Sequence, residues 1–572
     1  MPRPAAVPPA DPPPAPKEPA VPESTPPSLS PAPEGTTAPS LSRDAVRDVA
    51  AILPGWLETV RHLHRQSGIQ AAIWHDGELV AEVAVGPADA EAGIDLLPTH
   101  RLRIASHSKT MTTLAVLRLA EEGALRLDDT LGAHVPELAG SPVAAATLRD
   151  LLAHAAGLSR DSADARWWRL GRPFPDRKQL LAIARTEPLA APAGTHLQYS
   201  NIGYGLVGLV IEAVTGEDFA AAVTRLVIDP LGVEDIGPDL PADAPGPETP
   251  HGFAPGHTSL LHGPRRIVEQ VPTGALAAAT GFWATAGAIA TVAGRALTTD
   301  ALLGEDARRA MRRRVWTVAE GRHYALGLQQ GRLHGFEAVG HSGGFPTGLS
   351  RTWAVPSERL AVSVIGTAVD APASEIAAGL LGLLALAAGR PAPQADAAEA
   401  PGAQGGGGSG RPRPLPLAEQ EDAEQEGVGS LTAGEVADLA AGTYDSLWGR
   451  TRVARLGGRL FALDDAAFDP AAGALELATA GGAADPYEPG ARTIALRTWG
   501  DPGYGTWAEP ILVRLETVDG PGPGEGTDGA PTLRCRGLIR SGQLQTASAE
   551  FTMPERVTRP EEGQGPPGEG RR

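Results

Sequence analysis

Residues 391–430 cannot build a core, and they divide the chain. Gly405-Gly-Gly-Gly-Ser-Gly410 is flexible, Arg411-Pro-Arg-Pro-Leu-Pro416 is extended, and Glu419 to Glu426 is acidic. The stretch reads as a linker, so the apolar residues on its two sides must pack separately. A length of 572 residues agrees, being too long for one ordinary core. Residues 1–42 are proline-rich and repetitive, and they are expected to stay disordered, as is the tail 559–572. Two folding regions remain, 43–390 and 431–558.

Charge and cysteine content exclude several classes. A net charge of −19 argues against nucleic acid and anionic membrane surfaces as partners. The single cysteine, Cys535, excludes an intrachain disulfide and a thiolate metal cluster. The longest apolar stretch, Ile376 to Gly389, has 14 residues, too few to span a bilayer. It is expected to be a buried helix capped by Ser374. No charged-then-apolar signal pattern opens the sequence, so a cytoplasmic protein is expected.

The first region opens with a helix expected over Arg43–Arg65. Ile69–Trp74 and Glu78–Val85 flank His75-Asp76-Gly77, and Asp-Gly between two β-rich runs signals a hairpin. Next comes Arg103-Ile-Ala-Ser-His-Ser-Lys-Thr110, where a polar loop turns into the apolar run Met111–Ala120. That run reads as a buried helix ending at Gly123. Residues three apart on a helix share a face, so the Lys109 ammonium can reach the Ser106 hydroxyl. At a helix N-terminus, free N–H groups and the dipole favour a developing anion. A serine needs such help, because it is a poor nucleophile until its proton is taken. Alone, the pair is equally an N-cap serine beside a solvated lysine.

Two more clusters follow. Tyr199-Ser-Asn201 precedes an apolar helical run, Ile202–Val214, closed by Gly216; Gly203, Gly205 and Gly208 on it suggest close backbone packing. Taken alone, Ser200 or Asn201 is an N-cap. A short helix is expected over Leu148–Leu152. Residues 240–270 read as a long loop, and the spacing of His251, His257 and His262 in it fits no metal-ligand pattern. Gly340-His-Ser-Gly-Gly344 then precedes a hairpin, Leu349–Val355 and Leu360–Gly366. This cluster also fits Gly-x-Ser-x-Gly, which would make Ser342 a nucleophile. That reading requires a helix after the serine and a later histidine, yet a strand follows and no histidine occurs after His341.

In order, Ser106-x-x-Lys109, Tyr199-x-Asn201 and His341-x-Gly343 resemble the motifs of the penicillin-recognising serine hydrolases: class C β-lactamases, D-peptidases and related esterases. The resemblance covers roughly residues 43–390. It implies an α/β (α+β) fold in which a central antiparallel sheet is flanked by helices and carries an all-helical subdomain. It further implies that Ser106, Lys109 and Tyr199 are catalytic, and that Asn201, His341, Ser342, Gly343 and Gly344 bind substrate. Ser106 would form an acyl-enzyme, Tyr199 would accept its proton, and the N–H groups of Ser106 and Gly344 would form an oxyanion hole. No metal or organic cofactor is implied.

The third motif begins with His341 rather than the lysine that helps relatives bind a substrate carboxylate. A histidine is mostly neutral near pH 7, which shifts the expectation toward an esterase or an aminopeptidase-like amidase. His107 is expected to be a surface or core residue. Phe282 and Trp283 are candidates for the acyl pocket, although ordinary packing explains them equally. Beyond the linker, Thr451–Leu456, Arg459–Leu463, Thr493–Arg497 and Ile511–Leu515 alternate between turns, as in a small all-β barrel-like domain. It resembles the lipocalin-like C-terminal domains of many such hydrolases. The expected protein is a serine hydrolase acting on a small ester or amide. The alternative is a non-catalytic binding or scaffold protein that keeps the fold.

Overall fold

A computed structural model describes residues 40–390 and 431–553, except positions 320, 457, 465–474, 489, 500–509, 519–531 and 541. The expected linker 391–430 and tail 559–572 lie outside the described residues, as do residues 1–39 of the proline-rich segment. Order is already present at Leu41, which is buried, and Ser42 caps the first helix, α1 (Arg43–Leu63), by accepting from the Ala45 N–H.

The hairpin at Asp76-Gly77 joins β1 (Ile69–His75) to β2 (Glu78–Val85). Both turn residues have positive φ, 46° and 96°, as a two-residue hairpin turn of this hand requires. Six further strands lie far along the chain: β3 (Trp316–Ala319), β4 (Arg322–Tyr324), β5 (Gln329–Leu333), β6 (Phe336–Phe345), β7 (Gly348–Val355) and β8 (Leu360–Gly366). They form one eight-stranded sheet, ordered β3-β4-β5-β6-β7-β8-β1-β2, with every neighbour antiparallel.

The adjacent inner strands β1 and β8 are buried along their whole length, so their two faces feed different cores. Ile69, Ala71 and Ile73 pack with Val362 and Val364 under α1, while Ala72 and Trp74 face the opposite layer. This is the period-two alternation of a strand covered on both sides. On that second side α4 (Ala286–Thr298) lies against the sheet, and the same core extends to α2 (Ser108–Glu121) and α3 (Asn201–Thr215). The first side contains α1 and α5 (Ala373–Ala387). The N-cap of α5 is Pro372, not Ser374, which lies within its first turn. The backbone already turns helical at Ala373, so Ser374 is too late to cap it.

The second region starts with α6 (Ala433–Ala440) and continues as a closed antiparallel barrel. Its strands are β9 (Gly442–Ser446), β10 (Gly449–Leu456), β11 (Arg459–Asp464), β12 (Leu475–Gly482), β13 (Arg492–Trp499), β14 (Ile511–Val518), β15 (Thr532–Arg540) and β16 (Gln543–Ala547). Pairing of β9 with β16 removes the open edges. Tyr444, Val453, Leu460, Leu496, Val513 and Leu538 fill it. The tip of its first hairpin leaves the barrel. Leu447 joins the core of the first region, and the Trp448 indole N–H donates to the Trp168 carbonyl at 2.9 Å.

Candidate active site

Ser106 lies in a 3₁₀ turn, Ala105–His107, that runs directly into α2. From residue 102 to residue 117 every residue is buried except Ser106, which is partly exposed. The turn thus lifts one hydroxyl out of an otherwise sealed segment. Lys109, one helical turn on, is fully buried, and its Nζ donates to Ser106 Oγ at 3.3 Å, Asn201 Oδ1 at 2.7 Å and the Ala279 carbonyl at 2.8 Å. Three acceptors match the three donors of an ammonium group. Burial nonetheless holds this lysine well below the usual range, with repulsion from Arg160 adding to it and attraction to Asp161 opposing it.

The acceptors reach Lys109 because the backbones around it approach closely. Ala279 belongs to a π-helical turn, Ala277–Gly281, packed against α3. A Cβ at Gly205 would lie 2.8 Å from Leu276, and one at Gly208 would lie 2.9 Å from Ala278. Ser200 caps α3 by accepting from the Gly203 N–H at 2.9 Å, so Asn201 is free to point inward. Its Nδ2 donates to Asp161 Oδ1 at 3.0 Å.

Tyr199 is held against His154. The ring centroids are 4.2 Å apart, His154 Nδ1 accepts from the Ser200 N–H at 3.1 Å, and the His154 carbonyl accepts from the Gln198 N–H at 2.8 Å. The Lys109 Nζ lies 4.6 Å from the Tyr199 ring centroid, and Arg160 stacks on the same ring at 5.1 Å.

The third cluster sits on β6. Gly343 passes so close to the Ser106 turn that a Cβ there would lie 2.1 Å from the Ile104 carbonyl oxygen, so this position admits only glycine. His341 is buried 6.4 Å from the Tyr199 ring, and its Nε2 lies 3.3 Å from the Tyr324 hydroxyl. Ser342 points away, accepting from Gln329 Nε2 at 3.0 Å. It lies mid-strand, so the strand-to-helix turn of a nucleophile elbow is absent there. Gly344 is partly exposed beneath Trp448, whose ring would be 3.7 Å from an added Cβ.

Ser106, Lys109, Tyr199, Asn201, His341 and Gly343 therefore converge, Gly344 lies at the rim, and Ser342 bonds along the sheet. Asp161, Ala279, His154 and Trp448 were missed from sequence. Phe282 is fully buried, its N–H donating to Ser108 Oγ at 2.9 Å, and Trp283 bonds to the Asp239 carbonyl at 2.8 Å, so both serve packing. His251 pairs with Asp235, whereas His257 is buried. Among the described residues no three metal-ligating side chains cluster.

His107 is a core residue. Its ring bridges the Ile104 carbonyl at 2.7 Å and Thr352 Oγ1 at 3.0 Å, and burial lowers its pKa to about 4. Burial also holds His154 and His341 well below the usual range, with Lys109 the next cause for both. Since these folded-state values lie below the unfolded value near ~6.5, the unfolded chain binds more protons in acid. Their contribution is complete above pH ~6.5 and is lost as pH falls toward the folded values, at about 1.4 kcal/mol per pH unit for each histidine. The thermal midpoint should fall between pH 6.5 and 5, above the main range of carboxylate titration. A midpoint flat across that interval would contradict the neutral, buried state of these rings.

A family model described as beta-lactamase matches residues 56–387. Esterase EstB of Burkholderia gladioli is 35% identical over 219 residues, covering 35% of this chain and 55% of the esterase. The chain thus matches about half the length of that relative. The crystal structure of SurE with D-Leu is similar over 88% of this chain and 100% of that one, at 25% identity and a TM-score of 0.50. The octameric penicillin-binding protein homologue from Pyrococcus abyssi shares the fold, at 20% identity and a TM-score of 0.52 over 82% of this chain and 96% of that one.

Proposed function

The chain belongs to the beta-lactamase family, and from that premise we propose that it is a serine hydrolase opening a small ester or amide through an acyl-enzyme on Ser106. The observation that carries this reading is the 3.3 Å contact from the buried Lys109 Nζ to the one accessible hydroxyl of its segment. The chemistry is assigned to residues 43–390, with 431–558 as a lipocalin-like accessory domain.

Ser106 Oγ attacks the substrate carbonyl. Its proton passes to the Lys109–Tyr199 pair, which lacks one proton in its active form. That form is either an ammonium beside a tyrosinate or an amine beside a phenol, two arrangements of the same charge. The buried ammonium favours the tyrosinate electrostatically, while desolvation favours the amine. The pair then hands the proton to the leaving group, and in the second half-reaction it activates water. The N–H groups of Ser106 and Gly344 stabilise the oxyanion, where losing one donor costs about 10²–10³ in rate. Asn201 orients Lys109.

His341 supports an ester or a neutral amide over a penicillin-type carboxylate, since burial beside Lys109 keeps the ring uncharged. The esterase relative points the same way. The test is stopped-flow hydrolysis of a p-nitrophenyl acyl ester. A nitrophenol burst equal to the enzyme concentration, with the acyl mass on the peptide containing Ser106, is expected. Neither a burst nor labelling by a serine-reactive probe in folded protein would leave a binding protein instead.

A further inference from the structure

Behind Asn201 lies a carboxylate that the proposed reaction does not yet use. Asp161 is 2% exposed and Asn201 is 1% exposed, and together with Lys109 they form a continuous chain. Asp161 Oδ1 accepts from Asn201 Nδ2 at 3.0 Å, Asn201 Oδ1 accepts from Lys109 Nζ at 2.7 Å, and Lys109 reaches Ser106 Oγ at 3.3 Å. Only one orientation of the Asn201 amide satisfies both neighbours. The reverse would set its NH₂ against the ammonium and its carbonyl against the carboxylate. Asp161 therefore determines which amide atom faces the lysine.

The loop carrying Asp161 is fastened to the start of α3. The Asn201 N–H donates to the Arg160 carbonyl at 2.8 Å, and Ser200 Oγ donates to the Ser159 carbonyl at 2.7 Å. Asp161 is thus as fixed as the residue it orients. The other charged groups around the chain are Arg160, whose Nε lies 3.5 Å from Asp161 Oδ2, and Glu187, whose pKa Asp161 helps to raise; burial raises the pKa of Asp161 itself, opposed by Arg160, Asn201, Trp168 and Lys109. Facing Lys109 are Tyr199, Tyr204, His154 and His341. Asp161 is therefore the carboxylate that opposes the desolvation of Lys109, and it acts through an amide instead of by direct contact.

We propose that Asp161 is a positioning residue for this active site, holding Lys109 in place and balancing its charge through the oriented amide of Asn201. The inference rests on the acyl-enzyme reading above. Its test is a double-mutant cycle on the full-length chain with the p-nitrophenyl ester as probe. Asp161→Asn should lower kcat by about 10²-fold with KM within threefold. It should also move the Lys109-dependent limb of the pH–rate profile to lower pH, because loss of a nearby negative charge makes the ammonium easier to deprotonate. In an Asn201→Ala background the same substitution should cost less than threefold, because the connection is already cut. Asp161→Glu keeps the charge. It should restore the pH limb even where kcat is only partly recovered, and it serves as the second variant if Asp161→Asn does not fold. A shift in thermal midpoint without change in kcat or pH limb would make Asp161 purely structural and overturn the inference. An undiminished effect in the Asn201→Ala background would do the same. A wild-type burst with an unaltered Asp161→Asn removes only this inference, whereas no wild-type burst removes the acyl-enzyme reading and with it this one.

Discussion

Ser106→Ala is expected to lower kcat/KM for an activated acyl ester by about 10⁴-fold or more, while leaving the thermal midpoint nearly unchanged. The size follows from removal of the covalent step, after which only binding and the oxyanion donors remain. The small stability effect follows from the surroundings. Ser106 is partly exposed, and its hydroxyl accepts from Lys109 Nζ at 3.3 Å. Truncation leaves that donor facing the cleft, where water can take the vacated place. Parallel assays and melts of wild type and variant separate the two effects. Equal turnover by both proteins would place the nucleophile elsewhere, and Ser342→Ala would be the next variant to assay.

Lys109→Met should cost about 10³-fold in kcat, within the range for losing a positioned proton acceptor, and should be close to neutral for stability. Two terms oppose one another. The substitution takes a buried, desolvated amino group out of the core, which is worth up to several kcal/mol where that group is charged. It also leaves Asn201 Oδ1 and the Ala279 carbonyl without their donor, at about 1–3 kcal/mol each. Methionine has a similar length and no charge, so the space stays filled. Lys109→Arg should not rescue activity, because a planar guanidinium cannot point three donors at these three acceptors. Steady-state kinetics beside a thermal melt gives both numbers. A loss below tenfold in kcat would remove Lys109 from the proton path.

The part of the site legible in the sequence is the part where spacing and contact coincide. Ser106 and Lys109 are neighbours because three residues make about one helical turn. Gly343 was legible only as part of the His-x-Gly motif, and its reason is steric: a Cβ there would lie 2.1 Å from the Ile104 carbonyl oxygen. Asp161 and His154 were not legible, because each reaches its partner across more than 35 residues of intervening chain through an irregular loop. Ala279 contributes a carbonyl, a group every residue carries, and so leaves no mark in the residue code. In the barrel, β10, β11, β13 and β14 were read from their apolar alternation. In β12, β15 and β16 that alternation is diluted by Gly481, Gly482, Arg534, Arg536, Gln543 and Gln545.

The position of Trp448 bears on the order in which the protein is assembled. This side chain stands over Gly344 and bonds to Trp168, yet it is encoded more than fifty residues after the last sheet-covering helix, α5. During synthesis the whole of residues 43–390 leaves the ribosome seconds before Trp448 is added, given roughly 5–20 residues per second. A nascent chain at that stage carries the proposed nucleophile Ser106 but not the indole that stands over Gly344. The contacts around Gly344 are then completed late, and they can change by substitutions in the barrel hairpin that leave Ser106, Lys109 and Tyr199 untouched.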